Sequence, residues 1–353
     1  MELRELLEIS VREKASDLHL TVGRPPMIRI YGELVPISGK EILSSNLICE
    51  LIAGILDENR KQTLLQTGQV DFSYGLPGVA RFRINLFRQR GAFAAVMRTI
   101  PTEIPKLDML GVPSVITQLT EKSRGLVLVT GPTGSGKTTT LAALIDLINE
   151  NRNCHILTLE DPIEYLHSHK QSLINQREVG TDTDSFGNGL RAALREDPDV
   201  ILVGEMRDLE TIQIALTAAE TGHLVFATLH TNDVVQTVDR VIDVFPPHQQ
   251  TQIRMQLAMT LQGIMAQQLI PRVDQLGRVL ATEVMFVTSA VRNIIREGKT
   301  YQLPTIIQTG GKLGMYTLNS SLKQFYDRRM ISLQEALLRC SDADEFKKHI
   351  GVA

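Results

Sequence analysis

Apolar and polar positions alternate with a period of two in three short runs near the start of the chain, Asp17–Val22, Met27–Tyr31 and Leu34–Ile37. Gly-Arg-Pro-Pro and Tyr-Gly-Glu turn signals separate them, so each run predicts a strand. A charged amphipathic stretch, MELRELLEISVREKASD, precedes them and predicts a helix. The spacing predicts a further helical stretch from about Ser45 to Leu65. Two longer strands follow, Ala80–Arg88 and Phe93–Ile100, turning at Gly91. In the first of these, Phe82, Ile84 and Leu86 share one face while Arg81, Arg83 and Asn85 share the other, so one face is apolar and the other strongly basic.

Beyond a proline-marked stretch the pattern changes. Near-continuous apolar runs at Gly125–Thr130, His155–Glu160, Asp199–Gly204 and Leu224–His230 alternate with helical patterns at Thr138–Asn149, Ser185–Arg195 and Asp208–Glu220. Buried strands separated by helices predict a largely parallel sheet covered on both faces. After Phe245-Pro246-Pro247 the pattern reads as mainly helical, with one further apolar run at Val279–Val287. The expected organisation is a small α+β domain over residues 1–100, a linker over 101–113, and an α/β domain over 114–353.

The 353 residues are long for one core and comfortable for two, and the net charge of −3 points to no nucleic-acid partner. No apolar run reaches the roughly eighteen residues a membrane span needs, and the charged N-terminus is unlike a signal peptide, so a cytoplasmic protein is expected. Cys49, Cys154 and Cys340 lie far apart, which predicts buried free thiols rather than a disulfide or metal framework. His167 and His169 have no third ligand at metal spacing and are expected to be exposed loop residues.

The chemistry is concentrated in the second domain. Between the strand ending at Thr130 and the helix opening at Thr138 lies Gly131-Pro-Thr-Gly-Ser-Gly-Lys-Thr138. Glycines let backbone N–H groups turn inward around phosphates, and the helix start adds its positive dipole end. Thr133, Gly134, Ser135, Gly136, Lys137, Thr138 and Thr139 are therefore expected to bind the nucleotide, Lys137 at the β- and γ-phosphates and the Thr138 hydroxyl at Mg²⁺.

Three further groups follow apolar strands. Asp199-Val-Ile-Leu-Val-Gly-Glu205 has glycine at the usual metal-holding position, and Glu205 one residue later can orient or deprotonate a water. The alternative is a carboxylate that only pairs with Arg207. Glu164, after Glu160-Asp161-Pro162, can reach Mg²⁺ or its waters, or belong to a solvated turn. His223 and His230 bracket the last strand; its direction favours a sensing role for His230, although an imidazole can equally hold a loop.

In this order the motifs GPTGSGKT (131–138), TLEDPIEY (158–165), DPDVILVGEMRD (197–208) and TGHLVFATLHT (221–231) resemble the Walker A, Asp box, atypical Walker B and His box of the secretion and type IV pilus ATPase superfamily. The resemblance covers nearly the whole chain, including Ser16-Asp-Leu-His-Leu20 and Ala290-Val-Arg-Asn-Ile-Ile-Arg-Glu-Gly-Lys299. It implies a PAS-like N-terminal domain and a RecA-like P-loop ATPase domain with a helical C-terminal region. It further implies ATP and Mg²⁺ as cofactors, assembly as a homohexamer, and Arg83 and Arg98 approaching the phosphates as catalytic arginines; a solvated basic sheet face is the alternative for them. Assembly ATPases of the family usually carry an extra N-terminal domain and a four-cysteine module after the His box. Here the chain starts at the PAS-like domain and Cys340 is the sole later cysteine, so the likeness favours the retraction branch. That branch implies an inner-membrane platform protein as partner, pilin acted on indirectly, and a place at the inner face of the cytoplasmic membrane. An assembly or secretion ATPase and a nucleic-acid-translocating ring remain the rival readings.

Overall fold

A computed structural model describes residues 1–30, 32–100, 103–274 and 277–351. Tyr31, at the end of one predicted strand, and Pro101 and Thr102, at the start of the predicted linker, lie outside the described residues. The chain divides into two compact units, Met1–Glu103 with Pro162–Leu166, and Ile104–Asp161 with His167–Ala353.

The first unit is a six-stranded antiparallel sheet in the order Glu33–Pro36, Met27–Ile30, Asp17–Leu20, Ala92–Ile100, Ala80–Gln89, Gln69–Leu76. Leu18, Leu20, Phe82, Ile84, Leu86 and Met97 share a buried core with Leu6 and Leu7 of the helix Leu3–Arg12 and with Ile48 and Leu51 of the helix Ser45–Ala53. The expected single helical stretch is two helices. The first ends at Gly54, and the Asp57 side chain restarts the chain by accepting the Arg60 N–H at 2.8 Å, capping Glu58–Thr67. The edge strand Gln69–Leu76 was not expected, although Val70, Phe72 and Tyr74 alternate along it.

The second unit is a seven-stranded sheet in the order Arg278–Phe286, Leu261–Pro271, Gly125–Thr130, Leu224–Leu229, Val200–Val203, His155–Glu160, Leu173–Glu178. Every neighbouring pair is parallel except Arg278–Phe286 with Leu261–Pro271. The central strands are buried along their whole length, as continuous apolar runs require when both faces are covered. One core holds Leu126, Leu128, Leu157, Ile201 and Val225, and a second holds Val127, Val129, Ile156, Leu202 and Phe226, the alternating residues of the same strands.

The C-terminal region is mainly helical as expected, with helices Pro247–Thr260, Ser289–Glu297, Leu303–Thr309, Leu318–Asp327, Leu333–Arg339 and Ala343–Ile350. The strand Leu261–Pro271 within it was not expected. Its residues, Leu-Gln-Gly-Ile-Met-Ala-Gln-Gln-Leu-Ile, are mostly good helix formers, and burial between two strands overrides that preference. The strand Leu173–Glu178 was missed because it is a polar edge.

Two smaller expectations also change. Cys49 is exposed, and Cys154 and Cys340 are half-buried free thiols. His169 is exposed, but the His167 ring is buried. Its Nδ1 lies 3.8 Å from Asp146, too far for a hydrogen bond, so burial dominates and lowers its pKa from 6.5 to about 4. The unfolded chain then binds this proton more readily than the folded one, and stability rises with pH between about 4 and 6.5. Acidification from about pH 7 to about pH 5 should cost about 2 kcal/mol through this group. Urea unfolding of the native chain and of His167→Phe at the two pH values measures the term, which should disappear in the variant.

Candidate active site

The loop from Gly131 to Lys137 turns where the strand Gly125–Thr130 meets the helix Lys137–Asn151. Gly131, Gly134 and Gly136 all have positive φ, at 146°, 78° and 88°, where a side chain would be strained. The N-cap Gly136 supplies no side-chain cap, and backbone N–H groups at a helix start are donors suited to phosphate oxygens. Other helices of this unit are capped, by Asp208, Asp233 and Thr317 for example. Lys137 is buried, and its Nζ donates to the carbonyls of Gly131 at 2.7 Å and Pro132 at 3.1 Å across the loop.

A residue absent from the sequence reading supports this loop from beneath. Gln267, fully buried on the unexpected strand, donates through Nε2 to the Ser135 carbonyl at 2.8 Å. A Cβ on Gly131 would lie 2.2 Å from the Gln267 carbonyl oxygen, so the close packing of loop on strand requires glycine there. Recognising Leu261–Pro271 as a strand neighbouring the loop strand was the signal needed to find Gln267.

The next strands deliver their polar ends to the same edge. Gly204, at the usual acidic position, has its N–H bound to the Leu159 carbonyl at 2.7 Å. A Cβ there would come 3.1 Å from that oxygen and 3.3 Å from the Glu160 Cα, so any side chain at this position crowds the neighbouring backbone. Glu205 carries the charge one residue later. Its Oε1 receives Arg207 Nε at 2.6 Å and His230 Nε2 at 3.1 Å. Partial burial pushes the Glu205 carboxyl up, but the bonds from Arg207 and His230 outweigh it, and the net position is below the ordinary 4.5. The Arg207 pair weighed in the sequence is present, and His230 joins it.

His230 also faces the loop: Nδ1 lies 3.5 Å from Lys137 Nζ and 3.5 Å from Thr133 Oγ1. With its hydrogen on Nε2 towards Glu205, the ring presents the Nδ1 lone pair to the lysine. Lys137, His230, Glu205 and Arg207 thus form one connected line across the end of the sheet. His223 contacts the Ala218 carbonyl at 3.0 Å through Nδ1, which holds a helix end. Glu160 is buried and accepts from Thr158 Oγ1 at 2.6 Å and Gln176 Nε2 at 3.0 Å.

The remaining candidates belong to the first unit. Glu164 is exposed in the Pro162–Leu166 segment. Arg83 and Arg98 sit opposite each other on paired strands. Arg83 makes a two-pronged pair with Asp71, at 3.2 and 3.0 Å. Arg98 Nε lies 3.0 Å from Asp17, whose carboxyl burial would raise; bonds from Ser16 and Arg98 more than compensate and hold it below its usual range.

A mostly parallel sheet with a glycine-rich loop, a buried loop lysine and a carboxylate after the strand two places away defines a RecA-like P-loop nucleotide-binding domain. The family model for Type II/IV secretion system proteins matches residues 4–337, and the chain belongs to that family. It is 48% identical to the type IV pilus retraction ATPase PilT of Pseudomonas aeruginosa, over 98% of this chain and 100% of that one. It is also 48% identical to a twitching motility protein of Neisseria gonorrhoeae, over 90% of this chain and 85% of that one. The crystal structure of the pilus retraction motor PilT with bound ADP superposes with a TM-score of 0.93, at 47% identity over 99% of each chain. The Legionella pneumophila ATPase DotB superposes with a TM-score of 0.82, at 32% identity over 94% of this chain and 93% of that one.

Gly204→Ala should destabilise the chain by about 1–3 kcal/mol, because backbone rather than a flexible side chain meets the new methyl. Chemical denaturation checks this, and an unchanged midpoint would refute the crowding at this position.

Proposed function

We propose that this chain is an ATP-hydrolysing motor that powers type IV pilus retraction, and that Glu205 is the residue on which hydrolysis turns. The observation that carries the reading is the line from Lys137 through His230 to Glu205, in which the histidine that ends the intervening strand joins the phosphate loop to a carboxylate two strands away. Identity near half over the full length of a named retraction ATPase supports the task.

In this reading the loop N–H groups from Thr133 to Thr139 and the start of the helix Lys137–Asn151 hold the ATP phosphates. Lys137 exchanges loop carbonyls for β- and γ-phosphate oxygens. Glu205, kept ionised, accepts a hydrogen bond from the attacking water and lines it up with the γ-phosphorus. A carboxylate below its ordinary range is a weak base, so orientation contributes more than early proton removal. His230, bonded to both Lys137 and Glu205, senses whether the γ-phosphate is present.

The donor set fits Mg²⁺. Among the described residues no cluster of three or more His, Cys, Asp or Glu forms a metal cage, and Mg²⁺ characteristically uses few protein ligands, phosphates and waters. Thr138 would bind it directly and Glu164 through water; when bound, the ion neutralises charge on the β- and γ-phosphates. Arg83 and Arg98 would leave Asp71 and Asp17 to stabilise the transition-state charge.

The proposed organisation is a PAS-like domain over 1–100, a linker over 101–113 and the ATPase domain over 114–353, assembled as a homohexamer. No described helix is long and apolar enough to cross a membrane. The ring would sit at the inner face of the cytoplasmic membrane and act on pilin through a platform protein there.

Purified full-length chain should release phosphate from ATP, and Lys137→Ala should lose nucleotide binding by at least tenfold, read by fluorescent-ATP titration. A strain carrying Glu205→Gln should accumulate surface pili and stop twitching. A strain without pili would point to assembly instead, and ATPase activity stimulated by DNA and lost steeply with salt would favour a nucleic-acid motor.

A further inference from the structure

Glu283 is a buried carboxylate far from the phosphate loop in sequence, on the strand Arg278–Phe286. Each of its oxygens accepts a backbone N–H from the start of a different helix. Oε1 takes Val234 N at 2.9 Å, the first residue of the helix Val234–Asp243. Oε2 takes Leu318 N at 3.1 Å, the first residue of the helix Leu318–Asp327. Such a placement satisfies two helix-start donors at once; burial pushes the carboxyl's pKa up, and the bonds from Val234 and Leu318 only partly oppose it.

The first of these helices follows His230 after only three residues. The segment Thr231–Asp233 is therefore suspended between a buried strand end at Leu229 and the helix start at Val234. Thr237, in the second turn, adds a tie: its hydroxyl lies 2.7 Å from the Thr231 hydroxyl and 3.3 Å from that of Thr130, the last residue of the loop strand. The position of the His230 ring against Glu205 thus depends on where the helix start is held.

We propose that Glu283 is a positioning residue for ATP hydrolysis, fastening the start of the helix Val234–Asp243 so that His230 stays against Glu205, while its second oxygen ties the same point to the C-terminal helix Leu318–Asp327. The inference rests on the roles given above to Glu205 and His230. His230 also touches the phosphate loop, but the loop has a support of its own in Gln267, so the effect is expected on hydrolysis more than on nucleotide binding.

The discriminating variants alter a single donor. Val234→Pro removes the N–H while keeping a side chain of similar size, and proline is accepted at the first position of a helix. Val234→Ala keeps the N–H and loses side-chain volume. Glu283→Gln retains one acceptor and turns an amide towards one of the two N–H groups. In the full-length chain, Val234→Pro and Glu283→Gln should lower kcat about tenfold or more, with the KM for ATP and the affinity for a non-hydrolysable ATP analogue within about twofold of the native values. Val234→Ala should keep kcat. Native kcat in Val234→Pro, or equal loss in Val234→Ala, or a parallel loss of analogue affinity, would overturn the positioning role. Substantial turnover by Glu205→Gln would instead overturn the site assignment on which it rests.

Discussion

Oε1 of Glu205 receives Arg207 at 2.6 Å and His230 at 3.1 Å, so one carboxylate oxygen sets the relative positions of two chain segments that leave different strands. The same imidazole reaches Lys137 with its other nitrogen, which brings the phosphate loop into the set. Remove that oxygen and the histidine loses its partner between lysine and glutamate. The sheet carries this arrangement: its central strands are buried on both faces and deliver their polar continuations to the same edge.

Two glycines make the close approach possible. Gly204 lets its strand lie against the Leu159 carbonyl, and Gly131 lets the loop rest on the Gln267 carbonyl. A methyl at Gly131 would force the backbone to move, one at Gly204 would crowd it, and the carboxylate at this strand end comes from residue 205. Glycine at the position where an acid is usual thus goes with close strand packing at this point.

The phosphate loop, Glu205 and His230 were legible in the sequence because each follows a continuous apolar strand, whose end can be read directly. The basic face of Ala80–Gln89 was legible for a similar reason, since Phe82, Ile84 and Leu86 alternate with it and are fully buried. Gln267 and Glu283 were not legible. The first lies in a run of helix-forming residues that become a strand only through their neighbours, and the second is a lone acid inside an apolar run. The two-helix arrangement around Asp57 was hidden for a more local reason, because a single cap residue interrupts an otherwise helical pattern. Sequence periodicity reports which face a residue takes; it does not report which distant backbone group a buried polar atom will meet.

The central claim is that Glu205 acts on the attacking water rather than on nucleotide binding. Its amide replacement keeps the shape and an acceptor for Arg207 and His230, so loss of function in that variant isolates the charge. Single-turnover hydrolysis of pre-bound ATP, followed by rapid quench in the full-length chain, is the most direct measurement. The account predicts that Glu205→Gln retains ATP with near-native affinity while the hydrolysis step slows by about a hundredfold or more. A native single-turnover rate in that variant would contradict it.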